Sequence, residues 1–181
     1  MPNWCDNAIT ISGPEQKISA MWDVISNEDE VGLLGSMVPQ PPNLFREGIN
    51  QKKKEELNKQ GIPNSYDWNI KNWGTKWEVE TEFLQYESGT IFGSFDSAWS
   101  PPETAYATFC RNNPDCSIWS RYIEIGLDFA GIWNKTEEGY GFLYTENFLD
   151  DWKNNKDSIL IKTLIDELGD DYFDWLLEDD E

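Results

Sequence analysis

Carboxylates dominate the reactive side chains of this 181-residue chain, and they crowd toward its C-terminal end. Asp166, Glu167, Asp170, Asp171, Asp174, Glu178, Asp179 and Asp180 fall largely three or four residues apart in a stretch of helical pattern. On a helix such positions lie ~5–6 Å apart at Cβ. That is on the scale of the ~3.4 Å rise per phosphate along one nucleic-acid strand. An array of this kind offers a basic, DNA-binding cleft a substitute for phosphate. The same acids also suit a plain solvated surface. Other chemistry is poorly supplied. There is no histidine, which removes the commonest general base and every Ser-His-Asp or Cys-His nucleophile pair. Cys5, Cys110 and Cys116 are too few and too scattered for a zinc or iron–sulfur site, and their odd number leaves no complete disulfide framework. No Gly-rich phosphate loop occurs, and the pairs Asp150-Asp151 and Asp170-Asp171 lack the spacing of a calcium loop. The expectation is a binding protein rather than an enzyme, with no catalytic residue, cofactor or metal site. A carboxylate pair with a divalent cation is the one catalytic arrangement the composition supplies, and no spacing defines it.

The charge balance points the same way. Thirty-four acids face fourteen basic residues, a net charge of −20. Such a field repels phosphate backbones and anionic lipid heads and favours basic surfaces. The expected partner is therefore a basic or nucleic-acid-binding host protein, with no direct nucleic acid and no membrane. The aromatic fraction of 14%, with ten Trp, supplies a core despite the charge. The start of the chain has no basic and apolar leader pattern, and no apolar run approaches the ~20 residues of a membrane span. The expected location is the cytoplasm of a bacterial cell, with reduced thiols.

The elements that must carry these residues are readable from period and punctuation. Residues 7–12 (NAITIS) form a strand broken by Gly13-Pro14, and Pro14 with Glu15 opens a helix whose apolar face is Ile18, Met21, Trp22 and Ile25. Residues 51–60 (QKKKEELNKQ) form an exposed helix stopped by Gly61 and Pro63, either a solvated face or a contact arm folded on the acidic body. Residues 77–83 (WEVETEF) alternate large or branched side chains with acids and predict a strand, as do residues 90–95 (TIFGSF). Pro101-Pro102-Glu103 opens a helix to about Arg111 with Ala105, Tyr106 and Phe109 inward. Residues 118–133 hold one or two strands, residues 140–145 (YGFLYT) another, and the tail is helical, with Ile161, Leu164, Ile165 and Leu168 on one face and a stop at Gly169. A short helix restarts over residues 172–177. Residues 137–181 carry fifteen acids against three lysines, more than half of the excess negative charge.

Four ordered segments, MPNWCDN, NWGTKW (72–77), SAWSPP (97–102) and YIEIGLDFAG (122–131), together resemble the YubB-like ferredoxin-fold domain of phage and plasmid proteins. The resemblance spans roughly residues 1–145. It implies an α+β ferredoxin-like sandwich, an antiparallel sheet with helices packed on one face, and an origin in a mobile element. It brings no catalytic residues. Beside it, strand, helix, strands, helix, strands is one way to write a split βαβ sandwich. The expected division is a ferredoxin-fold domain over 1–147 and an acidic helical extension over 148–181, packed on or flanking it. Trp73, Lys76 and Trp99 are the motif residues whose role the sequence leaves open. Trp73 and Trp77 read as rings under the sheet, with Trp73 or Lys76 as alternatives that face a ligand, and SAWSPP reads as a helix cap with a Trp anchor. The functional expectation is a mobile-element accessory protein, an inhibitor of host defence that mimics nucleic acid and occupies a basic cleft. The alternative is a single-stranded nucleic-acid binder that stacks bases on an aromatic sheet, supported by the Lys52-Lys53-Lys54 patch.

Overall fold

The computed structural model describes residues 3–27, 31–48 and 50–173. Among them the chain is α+β, with six strands in one antiparallel sheet and seven helices. In order they are β1 (Trp4–Ser12), α1 (Glu15–Ile25), α2 (Leu33–Met37), α3 (Gln51–Gln60), α4 (Ser65–Asn72), β2 (Leu84–Glu87), β3 (Thr90–Ala98), α5 (Glu103–Asn112), β4 (Ser117–Glu124), β5 (Phe129–Thr136), β6 (Gly139–Thr145), α6 (Phe148–Asn154) and α7 (Ile159–Leu168). The strands lie side by side in the order β2-β3-β1-β4-β5-β6, all neighbours antiparallel. None of the helices in the described residues is long and apolar enough to cross a membrane.

Side-chain alternation sorts the core into two layers, because successive residues of a strand point to opposite faces. Cys5, Ile9 and Ile11 of β1, Ile91 and Phe95 of β3, Ile118 and Tyr122 of β4 and Trp133 of β5 face one way. They meet Ile18, Met21 and Ile25 of α1, Leu33 and Leu34 of α2 and Ala105, Tyr106 and Phe109 of α5. Ile123 of β4 and Ala130 and Ile132 of β5 face the other way, onto Phe148 and Trp152 of α6, Leu160, Ile161 and Leu164 of α7, and Phe173. α1, α2 and α5 thus cover one face, and α6 and α7, from the C-terminal segment, cover the second face of the β4–β5 half. The 148–173 segment shares a core with the sheet. On that same second face, the β2-β3-β1 half has no such helical cover among the described residues.

Local chemistry explains where elements start and stop. Asn50, Asn64 and Ser158 cap α3, α4 and α7 by accepting hydrogen bonds from Lys53 N, Asp67 N and Ile161 N. Gly61 ends α3 in the left-handed region at φ 66°. The β2–β3 hairpin turns through Ser88 and Gly89, both at positive φ, as the tight turn of twisted strands requires.

Two readings of the sequence do not hold. Residues 77–83 are not a strand. Only Val79 of the alternating set is buried, and Trp77 and Phe83 are exposed. The backbone instead serves a side chain: the Glu78 carboxylate accepts from Leu34 N at 2.7 Å and Gly35 N at 2.8 Å and so completes the first turn of α2. The alternation of acids with large residues thus records a cap and a cleft wall, not a pleat. The SAWSPP segment does lead from strand to helix, but α5 starts at Glu103, and Pro102 before it supplies no side-chain cap. Trp99 is turned outward at φ 70° rather than anchored in the core.

Candidate functional site: an acidic aromatic cleft

The two Trp-rich motifs lock onto each other. Thr75 Oγ1 donates to Ala98 O at 2.9 Å, and Ser100 Oγ donates to Gly74 O at 2.7 Å. Gly74 turns the chain at φ 91°, where an added Cβ would sit 3.3 Å from Pro101 O. Trp73 is buried, its indole N–H bonded to Val38 O at 2.9 Å and its ring edge-on to Trp68. Trp77 is not under the sheet as expected; it is 42% exposed. The lock sets Lys76 among three rings, its Nζ 4.1 Å from the Trp77 centroid, 5.0 Å from Trp99 and 5.7 Å from Tyr66. Of the three motif residues, the structure brings Lys76 and Trp99 together and places Trp73 in the core.

Beside this cage lies a cleft of about 470 Å³ lined by Trp4, Asp6, Trp77, Glu78, Glu80, Phe83, Ser94, Phe95 and Asp96. Trp4 is 52% exposed and Phe83 65%. The Trp4 and Trp77 rings are 6.0 Å apart between centroids and inclined by 44°. Sheet register brings the carboxylates together, since Asp6 of β1 is the direct cross-strand partner of Asp96 of β3. Like charges opposite each other are unfavourable. Burial first, then the charges of Asp6 and Glu80, push the Asp96 carboxyl above the ordinary carboxylate range. Two of the four acids already have donors. Glu78 is held by backbone N–H groups, with its carboxyl nonetheless raised by burial. Asp6 pairs with Arg121. Glu80 and Asp96 have no ion-pair partner among the described residues. Arg121 continues to Glu167 of α7 at 3.6 Å, which ties the cleft to the tail.

The acids singled out in the sequence are dispersed. Asp166 and Asp171 are exposed, Glu167 pairs with Arg121, and Asp170 pairs with Lys156 at 2.5 Å. Asp174, Glu178, Asp179 and Asp180 lie outside the described residues, as does most of the helix expected over 172–177. In the lysine patch, Lys53 pairs with Glu56 and Lys54 with Asp67, so the 51–60 helix does lean on an acid of the body. The three cysteines are buried and free, and burial pushes the Cys110 thiol up to about 11. Among the described residues no group of three or more His, Cys, Asp or Glu is placed to hold a metal ion. A second aromatic feature is the edge strand β6, where Tyr140, Phe142 and Tyr144 are exposed along one face. Sequence reasoning missed the cleft itself. Its signals were Trp4 in the opening motif and the acids of residues 77–83.

No family model matches the chain, and no curated protein matches it. Among solved structures, the protein api92 from Yersinia pseudotuberculosis, described under the family model DUF1281, is similar in fold. The TM-score is 0.51 at 11% identity, over 77% of this chain and 96% of the other. That likeness concerns the fold alone.

Proposed function

We propose that this is an accessory binding protein of a phage or plasmid, of YubB-like type, that occupies a basic, nucleic-acid-handling surface of a bacterial host protein and so inhibits it. It acts by binding and not by catalysis, in the cytoplasm. A ferredoxin-like reading of residues 1–147 is supported by the order β2-β3-β1-β4 with α1 after β1 and α5 after β3, which is the split βαβ arrangement. β5, β6 and the helices after them then extend that unit. The single observation that carries the functional reading is the convergence of Asp6, Glu80 and Asp96 on a cleft walled by exposed aromatic rings in a chain of net charge −20. Aromatic anchors ringed by charge are what a protein interface concentrates. The test is affinity capture from nuclease-treated bacterial lysate followed by a salt titration. Retention of a basic, nucleic-acid-binding protein, weakening steeply with salt, is expected. Retention of no such protein at low salt sinks the reading.

The β6 stripe of Tyr140, Phe142 and Tyr144 favours the second reading, stacking of single-stranded nucleic acid. Magnitudes oppose it. Such binders need a positively charged groove, and the nearby Lys135 spends its ammonium on the carbonyls of Pro114 and Cys116. Gel shift with single-stranded DNA and RNA at low salt separates the two, and tight binding reverses their order.

A further inference from the structure

We propose that the cleft between β1 and the 77–83 segment receives an arginine side chain from the protein partner, stacked on one ring of the Trp4–Trp77 pair with its guanidinium hydrogen-bonded to Asp96 and Glu80. This rests on the basic-partner reading and specifies its contact.

The lining holds four carboxylates and no lysine or arginine. Two of those carboxylates are spent on the protein's own donors, and Glu80 and Asp96 are left. The complementary occupant is a cation, since every charged side chain of the lining is acidic. The rings decide which cation. Atoms in contact sit ~3.5–4.0 Å apart, so a group inserted between two faces needs about 7 Å. At 6.0 Å and 44°, Trp4 and Trp77 leave no slot between them, so a group stacks on the face of one ring at a time. A flat group stacked in that way keeps its edge free for a carboxylate. Guanidinium is flat, weakly hydrated and carries a fork of N–H donors matched to carboxylate, whereas an ammonium is compact and strongly hydrated. The neighbourhood already shows that its rings accept cations: Trp77 lines both this cleft and the adjoining one, where Lys76 sits 4.1 Å from its centroid.

The experiment uses the whole chain, labelled with nitrogen-15, and follows the indole N–H signals of Trp4 and Trp77. The probes are a blocked nonapeptide of Gly and Ser with one central arginine, the same peptide with citrulline, and the same with lysine. The arginine peptide is expected to shift both indole signals saturably. Citrulline, which keeps the shape and loses the charge, is expected to bind at least about tenfold more weakly. Asp96→Asn and Glu80→Gln are each expected to weaken arginine binding about threefold to tenfold, and Trp77→Ala by about fivefold or more. Tyr140→Ser, on the distant β6 edge, should leave it unchanged. Equal binding of arginine and citrulline peptides, shifts confined to other indoles, or unchanged binding by the well-folded Asp96→Asn protein overturns the proposal. Its failure is separable from that of the proposed function. Salt-sensitive capture of a basic protein that survives Asp96→Asn and Glu80→Gln overturns the arginine site and keeps the function. Arginine-specific binding at the cleft with no basic protein captured does the reverse.

Discussion

Asp96 concentrates the tension of the site. Its carboxyl is raised by burial and by Asp6 and Glu80, so the folded protein holds that proton more readily than the unfolded chain does. A group of this kind lowers stability as pH rises from its ordinary value, ~3.9, through its raised one. Asp96→Asn should therefore stabilise the protein at pH 7, by under about 1 kcal/mol because the group is largely open to solvent. The gain should vanish when urea denaturation is repeated below pH ~3.9. An equal gain at both pH values would contradict the charge account. At this scale the sequence showed that the Trp-Gly-Thr-Lys-Trp and Ser-Ala-Trp-Ser segments are unusual, but not what each ring does. Trp73 and Trp77 are four residues apart and end in opposite environments, because Gly74 turns the chain between them. Asp6 and Asp96 are ninety residues apart in sequence and meet only through the register of β1 on β3. No local pattern carries that meeting.

Among the elements, α2 depends on a residue far along the chain. Gly32 supplies no side chain at its start, and Glu78 supplies the missing acceptor. Glu78→Gln keeps the shape and weakens acceptance; Glu78→Ala removes it and should cost about 1–2 kcal/mol, read as a lowered urea midpoint. A loss under about 0.3 kcal/mol would show that α2 does not need the cap. The β2–β3 pairing depends on Gly93, at φ 145°, where an added Cβ would stand 2.2 Å from Phe83 O. Gly93→Ala should cost about 2–4 kcal/mol, from overpacking together with backbone strain, and should loosen the Phe83 wall of the cleft, visible as faster amide exchange in β2. Helical and strand periods located α1, α3, α5, α7 and the run from β3 to β6 from sequence. The failures have one physical cause. In residues 65–87 short elements are joined by tertiary contacts, so local period does not reveal α4 behind its Asn64 cap and lends the cleft wall a strand-like alternation.

For the whole molecule, the β4–β5 half of the sheet is held from both sides. α6, α7 and Phe173 form the second layer, with Phe173 edge-on to both Phe148 and Trp152 at 5.2 and 5.0 Å. Phe173→Ala should cost about 3–5 kcal/mol in a single cooperative transition. A separate early transition would instead mark 148–173 as an independent unit. The tail was legible as charge, and the apolar face of α7 as packing, but no local pattern tells which part of the sheet α6 and α7 cover. The central claim is that this anionic body engages cationic protein surfaces and leaves polynucleotides alone. Its most direct test is fluorescence anisotropy at low salt of two labelled probes, an arginine-rich peptide and a twenty-nucleotide single strand of DNA, each titrated with the intact protein. The account predicts saturable binding of the peptide that weakens as salt is added, and no binding of the DNA. Binding of the DNA with the peptide left free would contradict it.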